Sequence, residues 1–278
     1  MMLGSISRFA AIAGFTVISS TAFSYNAPGT GGAGGGYDSN GPYATTTTSA
    51  SGCSIYRPRN LGEGGMKHPI ILWGNGTGTT PSGYSALLSH WASHGFVVAA
   101  ASTTNAASGE EMLSCLDYLQ QQNSGSGTFA GKLDLGHVGS SGHSQGGGGS
   151  IMVGRDARIK ATAPMQPYTL PFLGHNTSAN GAQNGPMLLM SGSADTIAAP
   201  AQNQDNVFRA ANVPVFHATA QGASHFEAGY TGGAFQGPST AWFKLHLMDD
   251  QEARSMFYGA DCTLCTSSSW SVKKKNMD

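Results

Sequence analysis

The most specific chemistry in the chain lies in five residues, Gly142-His143-Ser144-Gln145-Gly146. A serine with glycine two positions away on each side suits a nucleophile on a sharp strand-to-helix turn. Small neighbours let the strained backbone fit, and the helix N-terminus offers N–H groups to a developing oxyanion. In a chain with 40 glycines among 278 residues, the pattern is expected about 0.65 times by chance, so its surroundings must decide. A weak strand pattern over 136–141 precedes it and a helix over 144–153 follows. Gly147, Gly148 and Gly149 allow that helix to approach a sheet closely. This context favours a nucleophile turn over a plain glycine-rich turn.

A serine nucleophile needs a base and an acid that orients it, and on a sheet of this kind they follow it as acid, then histidine. Three histidines lie beyond position 195. His217 falls inside a strand pattern and His246 on an apolar helix beside Trp242, Phe243 and Leu247, both structural places. His225, in Gly222-Ala223-Ser224-His225, sits in a small-residue loop past the last strand and is the expected base. Between Ser144 and His225 stand Asp156, Asp205 and Asp195. Asp156 follows the helix after the serine, and Asp205 falls within a surface helix over 202–211. Asp195 comes five residues after the apolar run Met187-Leu188-Leu189-Met190, at a strand end, where open α/β sheets place their sites. The loop Gly74-Asn75-Gly76-Thr77-Gly78 directly follows Ile70-Ile71-Leu72-Trp73, and Thr77 is the expected second oxyanion donor. A dinucleotide loop is excluded there, because position 79 is Thr and no acid follows about twenty residues on. No phosphate-binding Gly-Lys-Ser/Thr loop and no His-Glu-x-x-His pair occurs, so neither a cofactor nor a metal is expected.

The elements that must hold these residues alternate. Short apolar runs at 68–73, 96–101, 159–163, 187–190 and 213–218 read as strands. Helical spacing appears at 84–93, 110–121, 202–211 and 241–247. Strands alternating with helices predict an α/β fold, a mostly parallel twisted sheet with helices on both faces, and continuous apolar strands fit burial on both sides. No amphipathic helix long enough for a lid lies between 165 and 186.

Charged residues are only 10% of the chain and the formal net charge is -1. The single basic run is Lys273-Lys274-Lys275, so no basic stripe for nucleic acid exists. No apolar run reaches the ~20 residues of a bilayer span. Residues 1–24 read as an export signal: Arg8, an apolar stretch over 9–18, then Ala22-Phe23-Ser24 with cleavage after Ser24. Residues 25–50 are rich in Gly, Thr and Ser and read as a flexible lead-in, leaving 51–278 as the folded domain. Export to a secreted or periplasmic location allows the four cysteines to pair. Three connectivities are possible; the spacing favours a local Cys262–Cys265 bridge, which leaves Cys53 with Cys115.

Several segments together resemble the secreted cutinase and polyester (PET) hydrolases of the dienelactone-hydrolase-like branch of the α/β-hydrolases. They are Trp91-Ala92-Ser93-His94-Gly95-Phe96-Val97-Val98, His143-Ser144-Gln145-Gly146-Gly147-Gly148-Gly149-Ser150, Asp195-Thr196-Ile197-Ala198-Ala199-Pro200 and Gly222-Ala223-Ser224-His225. The likeness runs in the same order over about 68–248. It implies an α/β-hydrolase fold and metal-free hydrolysis of carboxylic esters. It implies Ser144, Asp195 and His225 as a catalytic triad, with an oxyanion hole from the backbones of Thr77 and Gln145. Substrate contacts are implied at Tyr168, His143 and Ile197. The group's polyester cleavers usually carry an aromatic, Trp and Met where this chain has Thr77, His143 and Gln145, so a more polar cleft is expected. The expected substrates are small or polymeric esters with short to medium acyl or aromatic groups. A peptidase or acyltransferase on the same fold, or a non-catalytic secreted binding protein, are the alternatives.

Overall fold

The computed structural model describes residues 36–171 and 174–277. The expected signal at 1–24 and the first part of the lead-in lie outside them. Nine strands form one sheet among the described residues: β1 (Thr45–Ala50), β2 (Cys53–Pro58), β3 (His68–Gly74), β4 (Val97–Ala101), β5 (Leu133–His143), β6 (Ile159–Met165), β7 (Met187–Gly192), β8 (Val215–Ala220) and β9 (Trp270–Lys275). Six α-helices accompany them: α1 (Ser85–Ser93), α2 (Glu110–Ser124), α3 (Gln145–Val153), α4 (Gln204–Ala210), α5 (Gln236–Met248) and the single turn α6 (Thr263–Thr266). The strand order is β1-β2-β4-β3-β5-β6-β7-β8-β9. The six strands from β4 to β8 run parallel, and antiparallel pairs close both edges. This is the α/β-hydrolase architecture.

Strand periodicity divides the core in two. Ile71 and Trp73 of β3, with Val98 and Ala100 of β4, face α1 and α5 and pack among Trp91, Phe96, Trp242 and Phe243. Their neighbours Ile70, Leu72, Val97 and Ala99 face α2 and pack on Met112, Leu116 and Leu119. Successive side chains of a strand point to opposite faces, so an unbroken apolar run supplies both layers. The strand β5 reads weakly because its centre is small: a Cβ on Gly139 would lie 2.7 Å from the Phe243 ring.

One expectation changes at the edges. The lead-in was expected to run to residue 50, but Thr45–Ala50 is strand β1, paired with β2 through a turn at Ser51 (φ 51°) and Gly52 (φ 75°). Its outward threonines make it look like low-complexity linker, while their branched side chains suit a pleated surface. Residues 36–44 also dock, with Tyr37 buried and its carbonyl accepting from His90 Nε2 at 2.9 Å. The tail lysines lie on β9 at the opposite edge. Lys275 Nζ donates to the carbonyls of Arg209 and Ala211 (2.8 and 2.7 Å) at the end of α4, and lysine on an edge strand discourages pairing with another chain.

Two disulfides are present. Cys53–Cys115 joins β2 to α2 across 62 residues, and Cys262–Cys265 closes a span of three. Loop-closure entropy scales with the length enclosed, giving about 4 kcal/mol for the first and about 1.5 kcal/mol for the second. Paired Cys→Ser variants should therefore differ: chemical denaturation should show the larger loss for Cys53/Cys115.

Four histidines, His90, His143, His217 and His246, are held neutral with pKa values lowered to about 4, mainly because burial penalises their charged form. In the unfolded chain each titrates near 6.5. Between those values the unfolded state binds more protons, so stability is lost as pH falls from about 6.5 toward about 4. Thermal melts at pH 4.5 should show a Tm lower than at pH 7.5 by more than about 5 °C; a flat profile would contradict this account.

Candidate active site

The turn between β5 and α3 sets Ser144 at φ 54°, ψ -120°, a backbone conformation that costs a non-glycine residue strain. A Cβ on Gly142 would collide with the Gly146 carbonyl, and one on Gly146 with the Gly74 carbonyl. The flanking glycines are therefore what let α3 start directly over the end of β3. The Ser144 carbonyl accepts from Gly148 N–H (3.0 Å) and Tyr168 N–H (2.8 Å), which fixes the turn.

Three loops at the carboxyl ends of parallel strands bring Ser144, His225 and Asp195 together. His225 Nε2 lies 2.8 Å from Ser144 Oγ, and His225 Nδ1 lies 2.8 Å from Asp195 Oδ2. All three are buried, at 7%, 6% and 4% exposure, so little water competes for these bonds. Asp195 Oδ1 accepts from the N–H groups of Ile197 (2.9 Å) and Ala198 (2.8 Å). Burial alone would raise its pKa, but the hydrogen bonds from His225, Ala198 and Ile197 outweigh it. The Asp195 carboxyl is thus held below its ordinary value.

The other candidates stand elsewhere. Asp156 pairs with Arg158 at 2.7 Å. Asp205 pairs with Lys273 at 2.8 Å and lies 3.9 Å from His217 Nδ1. His217 is buried on β8 with its Nε2 on Ser191 Oγ at 2.7 Å, and His246 packs edge-on against Trp242. Among the described residues no group of three His, Cys, Asp or Glu side chains converges as metal ligands would.

Beside Ser144 opens a cleft of about 330 Å³ lined in part by Thr77, Tyr84, His143, Ile197 and Phe226. Thr77 N–H and Gln145 N–H find no acceptor among the described residues. The Gln145 side chain is buried, its Oε1 accepting from Ala106 N–H at 3.1 Å. It adds no polarity to the cleft, which corrects part of that expectation: a side chain at the first position of α3 has its own buried donor to satisfy. The His143 ring lines the cleft with both nitrogens engaged, Nδ1 with Tyr84 Oη and Nε2 with the His225 carbonyl, each at 2.8 Å. Tyr168 stands outside the lining, and its backbone serves the Ser144 turn instead. Ile197 borders the cleft, 51% exposed.

Two further residues escaped the sequence reading. Phe226, 73% exposed, forms a wall beside His225; an aromatic directly after that histidine was its only signal. Gln166, at φ 44°, donates from Nε2 to Asp195 Oδ2 (3.2 Å) and to the Ser224 carbonyl (2.6 Å), linking the loops of Asp195 and His225. Nothing local in Gln166-Pro167-Tyr168 marks that role.

Residues 33–276 match the family described as PET hydrolase-like. The bis(hydroxyethyl) terephthalate hydrolase of Streptomyces coelicolor is 26% identical over 226 residues, covering 76% of this chain and 69% of that protein. Cutinase est2 of Thermobifida alba is 27% identical, covering 76% and 71%. A cutinase of Thermobifida fusca is 26% identical over 228 residues, covering 76% and 72%.

The glycine contact generates a direct test. Gly146→Ala drives a Cβ into the Gly74 carbonyl, whereas Gly127→Ala meets nothing within 4 Å. Overpacking of this kind costs about 1–3 kcal/mol or more. Denaturant titrations should show that loss for Gly146→Ala and nearly none for Gly127→Ala.

Proposed function

Because this chain belongs to the PET hydrolase-like family, we propose that it hydrolyses carboxylic esters through a Ser144 acyl-enzyme, with His225 as base and Asp195 as its orienting acid. The observation that carries this reading is the unbroken pair of 2.8 Å bonds from Ser144 through His225 to Asp195, at the floor of a cleft.

Ser144 Oγ attacks the ester carbonyl carbon while His225 Nε2 takes its proton. Asp195 holds Nδ1–H and stabilises the imidazolium that forms. The tetrahedral oxyanion is met by the free N–H groups of Thr77 and Gln145, the latter at the positive end of α3. Collapse breaks the C–O bond, and His225 returns its proton to the departing alcohol. Water then repeats the sequence on the acyl-enzyme, releasing the acid and restoring Ser144.

The cleft favours esters with short to medium acyl or aromatic groups. None of the described residues of the segment 169–186 lines it, and their helical content is one 3-10 turn, Thr177–Gly181. Without a covering wall, a long acyl chain loses most of the ~0.8 kcal/mol available per enclosed CH₂. Phe226 and Ile197 offer an apolar face to a flat group. We place the enzyme outside the cytoplasm, since two disulfides suit an oxidising compartment and residues 1–24 read as an export signal; the exported form should begin at Tyr25.

On a para-nitrophenyl ester series, butyrate should turn over faster than palmitate. Ser144→Ala should lower kcat about 10⁶-fold and abolish labelling by an organophosphonate. Asp195→Asn should cost about 10⁴-fold, while Asp205→Asn, whose partner is Lys273, should stay within a few-fold of wild type. Reversal of the two Asp effects would assign the acid to the wrong loop.

A further inference from the structure

Resting on that reading, we propose that Tyr84 and His143 are positioning residues. They form a hydrogen-bonded relay from the oxyanion loop to the carbonyl of His225 that holds the base in line with Ser144. Gly76 N–H donates to Tyr84 Oη (3.1 Å), Tyr84 Oη donates to His143 Nδ1 (2.8 Å), and His143 Nε2–H donates to the His225 carbonyl (2.8 Å).

The direction of every link is set by chemistry. A carbonyl can only accept, so Nε2 of His143 carries the proton. In a neutral ring Nδ1 is then an acceptor, so the phenol must donate to it, leaving an oxygen lone pair for Gly76 N–H. Burial keeps the His143 ring neutral, its pKa pushed down to about 4, so the relay does not titrate near neutral pH. Tyr84 and His143 are 3% and 6% exposed, and both are packed: Tyr84 lies 4.9 Å from the Trp73 ring and His143 4.8 Å from the His225 ring. The loop end is bare where the relay meets it. A Cβ on Gly76 would stand 2.9 Å from Tyr84 Oη and 3.0 Å from His143 Nδ1.

The base loop needs such a grip because no covalent tie reaches it; the two disulfides lie at Cys53–Cys115 and Cys262–Cys265. Its consecutive carbonyls at Ser224 and His225 are held by two neutral side chains, Gln166 and His143. Loss of one leaves the other, so the base should wander rather than detach. Misplacement by about 1 Å can cost 10²-fold, and a partial release should cost about tenfold.

Tyr84→Phe removes the hydroxyl and keeps the ring on Trp73. With para-nitrophenyl butyrate at 25 °C, kcat should fall about tenfold with KM within twofold. His143→Phe should cost a similar amount, and the double variant no more than the worse single, because links in series do not add. Nitrogen NMR of the His143 ring supplies a readout independent of turnover: the Nε2–H tautomer in both proteins, with the Nδ1 resonance of Tyr84→Phe shifted toward that of an acceptor without a hydrogen bond. If His143→Phe does not fold, Tyr84→Phe and the NMR measurement decide. A Tyr84→Phe kcat within twofold of wild type, whatever its Tm, overturns the relay, as do multiplying losses in the double variant. An inactive wild type, or a fully active Ser144→Ala, instead overturns the ester-hydrolase reading and the relay's role with it.

Discussion

Where β3, β5 and α3 converge, backbone meets backbone with no side chain between. Gly74 sits against Gly146, and Gly146 against Gly142, so closely that a methyl group at any of them would displace the main chain. This contact sets the height of α3 above the sheet. It thereby fixes the separation of the loop carrying Thr77 from the turn carrying Ser144. The positive φ of Ser144 persists because its carbonyl takes two N–H donors and its own N–H is bound by Met165 O at 3.1 Å. Strain of this kind survives only where surrounding structure over-determines it.

The parallel sheet does the rest of the gathering. Its six parallel strands all end on one side, so residues 51 and 30 positions apart in the chain reach one another at that end of the sheet. The loops that carry them are then tied by neutral polar side chains. Gln166 bridges the loops of Asp195 and His225, and His143 holds the His225 carbonyl; a backbone bond from Tyr230 N–H to Gly83 O at 2.8 Å also joins the His225 loop to the segment before α1. Buried neutral donors of this sort hold geometry near neutral pH without placing a charge beside the reacting atoms. The same burial of histidine makes the fold acid-sensitive, since each buried ring must be kept from protonation.

The cleft combines two kinds of surface. At its base the His143 ring has both nitrogens engaged, while its rim carries Ile197 and Phe226, both well exposed. Exposed large apolar residues are informative when they cluster, and these two flank the serine.

Much of this was legible in the chain. Alternating apolar runs and helical spacing determined a mostly parallel sheet covered on both faces, because burial on two sides demands continuous apolar strands. Residue type and chain order single out Ser144, Asp195 and His225, because each follows a strand end while Asp156, Asp205, His217 and His246 do not, and the fold brings the three within hydrogen-bonding reach of one another. What only the tertiary structure decided is where polar side chains turn. His143 reaches Tyr84 across 59 residues and the His225 carbonyl across 82. Gln145 turns into the core to meet Ala106, and Thr45–Ala50 becomes a strand through pairing with Cys53–Pro58. A hydrophobic pattern is local and repeats with the period of its element. A hydrogen bond depends on a partner whose distance in the chain leaves no periodic trace, so those assignments exist only once the fold has closed.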